Sequence, residues 1–252
     1  MMPALDSRSI LGSRVDATSY ADATARVLAW GQARESRYVC VCNVHMIMEA
    51  HDAPDYQQVV NQADLVTPDG VPLVWTLQRL GVPGQTRVYG PDLMLHVCAA
   101  AAAAKIPIGC YGGTPERLQE LVATLQQRYP GLLIPYTFAP PFRPLTAEED
   151  ATVTREIAAA GVRILFVGLG CPKQERWMAE HRGRVPAVML GVGAAFNFIT
   201  GHVHQAPAWM QRLGLEWLFR LLMEPKRLWR RYYKHNSRFV VLILWQLFRR
   251  RG

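Results

Sequence analysis

Five short apolar runs constrain this chain most: "YVCVCN" (38–43), "IPIGCY" (106–111), "LLIPYT" (132–137), "RILFVGLG" (163–170) and "AVMLGV" (187–192). Each is too short for a helix and is rich in the β-branched or aliphatic residues of a buried strand. Between them the apolar residues recur at helical spacing, around 18–34, 54–62, 90–104, 114–129, 146–160 and 172–182. Strands that alternate with helices join in parallel and need helices on both faces of the sheet. The pattern therefore predicts an α/β fold built on a mostly parallel sheet.

After about residue 204 the strand signals stop and aromatic, basic, helical text takes over, so a boundary is expected there: 1–204 as the α/β domain and 205–252 as an appendage. Charge supports the division. The chain carries a formal +8. Residues 205–252 hold 11 Lys/Arg against Glu216 and Glu224, a net +9, which leaves residues 1–204 at −1. Such a segment suits an anionic partner, either nucleic acid or an acidic membrane surface. Its apolar run "FVVLILWQLF" (239–248) is well short of the roughly 20 residues that span a bilayer, but basic flanks and a tryptophan suit a helix lying at the interface. Packing of the same run into a core or a dimer interface is the other reading. Val240 to Leu244 offers no charge to phosphates, which argues against nucleic acid.

The odd set of five cysteines has no zinc-ligand spacing and fits a reduced, cytoplasmic setting. The opening residues lack the apolar core of a signal peptide. No DxD triplet, HExxH, GxSxG or Walker loop occurs; a nucleotide-sugar enzyme with this sequence would lack the usual carboxylate handle for a divalent metal, and for such an enzyme no metal or cofactor is expected.

Ligands of open parallel sheets bind outside the carboxyl ends of the strands, and the unusual stretches here fall at those ends. In "YGGTPERL", Gly112 and Gly113 permit close approach, Thr114 can cap a helix, and the helix start could receive a phosphate. "GVGAAFN" supplies Gly191, Gly193 and Asn197, but Phe196 stands where a dinucleotide fingerprint needs its third glycine. "GLGCPKQERWM" places Lys173 and Gln174 where a diphosphate and a sugar hydroxyl could meet them. Asp69, in "LVTPDGVPLVW", is either the cap of a helix beginning near Val71 or a general base at a cleft edge, with His45 as the rival base. Arg87, in "RVYGPDL", suits phosphate recognition.

Together "TPDGVPLVW", "RVYGPDLM", "YGGTPE", "LFVGLGCPKQERWM", "GVGAAFNFITG" and "APAWMQRLGLEWLFRLLMEPKRLWRRY" resemble, in order, the motifs of the WecG/TagA/CpsF family of bacterial glycosyltransferases. The resemblance implies a Rossmann-like domain with a membrane-associating appendage. It also implies an inverting, metal-independent transfer from a UDP-sugar to a polyprenyl-diphosphate-linked saccharide at the inner membrane face, in exopolysaccharide or cell-surface polymer synthesis. By position, Asp69 matches the family's general base, Asn43 the asparagine after its first core strand, and Arg87 and Gln174 the arginine and glutamine of their blocks. Arg220, Arg227 and Arg230 match basic appendage positions expected near the diphosphate. Val41 stands where relatives often carry threonine, and Asn197 where many carry aspartate. A non-catalytic membrane-recruited scaffold is the competing reading. The donor sugar, an N-acetylmannosamine type, glucose or another hexose, and any homo-oligomer are left open.

Overall fold

The computed structural model describes residues 5–249. It begins with a hairpin, β1 (Ser7–Ile10) and β2 (Ser13–Asp16), then α1 (Tyr20–Gln32), β3 (Arg37–Cys42), α2 (Val44–Asp52), α3 (Pro54–Asn61), β4 (Leu65–Pro68) and α4 (Val71–Arg79). There follow α5 (Gly90–Ala104), β5 (Ile108–Gly112), α6 (Pro115–Arg128), β6 (Tyr136–Phe138), α7 (Ala147–Ala159), β7 (Ile164–Gly168), α8 (Lys173–His181) and β8 (Val188–Gly191). Four helices end the chain: α9 (Ala195–Ile199), α10 (Ala208–Arg212), α11 (Glu216–Met223) and α12 (Pro225–Arg249).

Strands β3 to β8 form one six-stranded sheet in the order β4-β3-β8-β7-β5-β6, with every pairing parallel. Two apolar clusters cover it. Ile47, Tyr56, Ile157 and Met178 from α2, α3, α7 and α8 fill one face, and Val27, Leu93, Leu118 and Phe196 from α1, α5, α6 and α9 fill the other. This is the α/β, Rossmann-like arrangement expected, and it explains why the central strands read as unbroken apolar text.

The local sequence accounts for the element ends. Thr114 caps α6 by accepting from the Arg117 amide, and Thr146 with Glu149 forms a capping box on α7. The run 132–137 contributes only its end, β6, because Pro135 has no N–H to give to a ladder. At the other edge, β2 covers β4: the Asp16 carboxylate accepts the Val66 amide at 2.7 Å, so the strand end is satisfied rather than open.

The segment after 204 is not detached. Helix α12 lies along α2, with Phe239 and Ile243 buried in the core. Arg238 makes a two-pronged ion pair with Asp52, at 2.8 and 2.7 Å. Gln246, the polar interruption in the apolar run, reaches the hairpin: it accepts from the Leu11 amide and donates to the Ser9 carbonyl, both at 2.8 Å. Val241, Trp245 and Phe248 face outward and are more than half exposed, while Val240 and Leu244, also more than half exposed, sit at the flank of the helix. Core packing and an exposed apolar face thus occupy opposite sides of one helix. No helix among the described residues is long and apolar enough to cross a membrane.

Candidate active site

The carboxyl ends of β3, β4, β7 and β8 open into a cavity of about 1050 Å³. The strand ends and their loops supply Asn43, Asp69, Gly170, Gln174, Gly191 and Gly193; α11 adds Glu216 and Arg220. The wall given by Trp75, Phe239, Val240, Ile243 and Leu244 is apolar.

Asp69 continues the β4 ladder, its amide donating to the Cys42 carbonyl at 2.8 Å. It does not cap α4. The N-cap is Gly70, with no side-chain cap bond, so the Asp69 carboxylate is turned to other use. Arg87 grips it twice: Nε donates to the Asp69 carbonyl and a terminal nitrogen to Oδ1 at 3.1 Å. The same guanidinium lies 4.0 Å over the Tyr89 ring and pairs with Glu216 of α11 at 2.8 Å.

Two carboxylates therefore share one cation, and the consequence is electrostatic. Burial raises the Asp69 carboxyl from its ordinary 3.8 to about 6; Arg87 opposes that rise and Glu216 adds to it. Burial also disfavours the Arg87 charge, but Asp69 and Glu216 together hold that guanidinium above its ordinary value. A carboxylate that is ionised at neutral pH yet titrates near 6 is a competent proton acceptor.

Gln174, 4% exposed, ties the neighbouring loops together. Its Oε1 accepts from the Gly170 amide at 3.1 Å and the Gly193 amide at 3.0 Å, and its Nε2 donates to Glu175 at 2.6 Å. Glu175 is fully buried, also accepts from the Tyr56 hydroxyl at 3.0 Å, and is pushed by burial up to about 7. These groups meet closely at Gly191: a Cβ there would lie 2.8 Å from Met178 Cε and 3.0 Å from Gln174 Nε2, so a larger residue would push both side-chain ends aside. Likewise a Cβ on Gly168 would lie 2.7 Å from Phe196, which accounts for the phenylalanine in "GVGAAFN" as packing.

Asn43 lines the cavity and caps α2, its Oδ1 accepting from the Met46 amide at 3.2 Å. Val41 also lines it, packed against Gly90. Arg220 lines the cavity, its guanidinium 5.5 Å over Phe198. Gly112, Gly113, Thr114, Lys173 and Asn197 stand outside the cavity wall. Thr114 serves as a cap, Lys173 is exposed at the first turn of α8, and the Asn197 amide donates to the Ala194 carbonyl while its carbonyl accepts from the Val203 amide. Arg230 is exposed, 5.5 Å over Trp229, and the Arg227 side chain lies outside the described residues.

Sequence reasoning passed over Glu216 and Tyr89, the partners of Arg87. Glu216 did leave a signal, being one of two acidic residues in a strongly basic segment.

Residues 8–252 match the model of the Glycosyl transferase WecG/TagA/CpsF family. The chain is also 31% identical over 195 residues to an N-acetylglucosaminyldiphosphoundecaprenol N-acetyl-beta-D-mannosaminyltransferase of Bacillus spizizenii, covering 77% of this chain and 74% of that protein.

Proposed function

Since the chain belongs to the WecG/TagA/CpsF family of glycosyl transferases, we propose that it moves a sugar from a UDP-sugar to a polyprenyl-diphosphate-linked saccharide, with inversion, using Asp69 as the base. The relative's name supports an acceptor of that kind. The observation that carries the reading is Asp69 itself: a cavity-lining carboxylate released from helix capping, fixed by Arg87 and tuned to about 6.

In this reading an acceptor hydroxyl loses its proton to Asp69 as its oxygen attacks C1 of the donor. The C1–oxygen bond to UDP breaks on the opposite side, and UDP leaves with the bonding electrons. Arg87 holds Oδ1, and in this reading the hydroxyl meets Oδ2. In this reading the transfer needs no metal, because Arg220 on the cavity wall can meet the diphosphate charge. Gln174 acts by holding the two glycine loops that form the cavity floor. The exposed apolar face of α12, set among basic residues, supports peripheral attachment to an anionic inner membrane surface, where a lipid-linked acceptor resides.

The test is UDP release from a panel of UDP-sugars with lipid-linked acceptor. Asp69→Asn should reduce turnover by about a hundredfold or more, the usual worth of a general base. Full activity in that variant would remove Asp69 from this role; no turnover with any donor would favour a scaffold.

A further inference from the structure

Beside the cavity, α2 and α12 bring a second group of side chains together. His45 and Glu49 lie one helical turn apart on α2 and so share a face. His235 comes from α12 and is 4% exposed. Glu49 Oε1 is 3.3 Å from His235 Nε2 and 3.8 Å from His45 Nδ1, and the two imidazole centroids are 5.0 Å apart, edge to face. One potential ligand atom from each of the three residues falls within 4.8 Å of the others.

We propose that His45, Glu49 and His235 bind one divalent ion of the zinc class, and that the ion clips the appendage to the sheet domain. The donor set sets the class: two imidazoles and one carboxylate suit Zn²⁺ and its transition-metal neighbours, whereas Mg²⁺ takes oxygen ligands. Spacing agrees. Ligands bound at about 2.0–2.1 Å in a tetrahedron stand about 3.4 Å from one another. The Glu49–His235 contact already has that separation, the Glu49–His45 contact needs to close by a few tenths of an ångström, and the two imidazoles, with ligand atoms within 4.8 Å of each other, are drawn together by rotation of their side chains.

The three ligands leave the fourth tetrahedral position to water, as a clip that takes no part in the transfer allows. His45 and His235 both line the cavity, so that position is close to it. Asn43 caps the helix two residues before His45, so an ion here also steadies the helix start that contributes to the cavity wall. Because the third ligand comes from α12, the site is complete only with that helix docked. The proposal stands on this geometry and not on the sugar-transfer reading, and metal binding is measured without turnover.

The experiment uses the full chain, stripped with chelator and titrated with Co²⁺, the visible absorption reporting its coordination. One saturating equivalent with a tetrahedral spectrum, displaced by Zn²⁺, is expected. That signal should fall at least tenfold in affinity in His235→Ala and in Glu49→Gln. The second variant preserves side-chain shape, which guards against misfolding of the first. Zn²⁺ should also slow limited proteolysis of α12 in the unaltered chain and not in the variants. No saturable binding, binding unchanged in both variants, or a thiolate absorption band pointing to Cys171 would each overturn the proposal.

Discussion

Glu216→Gln offers a demanding test, because the substitution removes a charge that touches no acceptor in the proposed reaction and yet should retune the base. Glu216 and Asp69 contact the same guanidinium, at 2.8 and 3.1 Å. A unit charge on the order of 6 Å away, at an effective dielectric of about 20, is worth about 3 kcal/mol, or roughly two pKa units. Water at the cavity mouth screens part of this, so about one unit is the working figure. Arg87 should stay in place, since its bonds to Asp69 and its stacking on Tyr89 do not involve Glu216. The sign follows directly. Glu216 raises the Asp69 carboxyl, so its loss lowers it, and the base stays ionised to lower pH. The pH profile of kcat/KM should therefore show an acidic limb near 6 in the unaltered enzyme, displaced by about one pH unit downward in Glu216→Gln. A limb that does not move, or moves upward, would refute the coupling of α11 to the base.

Asp69→Asn should stabilise the fold even as it lowers turnover. A folded value of about 6 against an ordinary 3.8 means that the ionised carboxylate costs the fold about 3 kcal/mol above pH 6, a cost relieved as pH falls towards 3.8. Urea denaturation at pH 7.5 should show a gain of about 1–3 kcal/mol for the variant, vanishing near pH 4; a less stable variant contradicts this. Gln174→Ala strips two loop amides and Glu175 of their partner and should cost about 2–4 kcal/mol, read by the same denaturation. Replacing Val241, Trp245 and Phe248 together by serine should weaken binding to anionic vesicles by at least tenfold in a sedimentation assay. Because these side chains face outward, Tm should hardly change; unchanged vesicle binding would remove the membrane role of this face.

Periodicity made the sheet legible because strands covered on both faces must be apolar throughout, and each of the five runs contributes a strand. β4 escaped because it is four residues long and ends in Pro68. The hairpin escaped because its turn places Leu11 as well as Gly12 at positive φ, where sequence rules anticipate Asn-Gly. Asp69, Arg87, Gln174 and Asn43 could be picked out as unusual polar residues at strand ends. What they touch could not. Gln174 faces amides across two loops, a relation set by packing of Gly191 against it. The Arg87–Glu216 pair joins residues from opposite sides of the predicted boundary, and no local spacing encodes such a contact. For α12, the apolar run alone could not show which of its residues pack inward; Phe239 and Ile243 enter the core with Gln246 turned towards the hairpin, and Val241, Trp245 and Phe248 stay exposed.

The placement of α12 has a bearing on how the enzyme comes into being. All six parallel strands lie between residues 37 and 191, whereas α12 begins at Pro225. A ribosome that has released the strands still holds the helix that closes one wall of the cavity and secures the hairpin through Gln246. During synthesis the sheet can assemble first, with the cavity open on one side. The element that finishes that wall also carries the outward apolar face, so maturation of the pocket and the appearance of that exposed apolar surface fall at the same moment of translation.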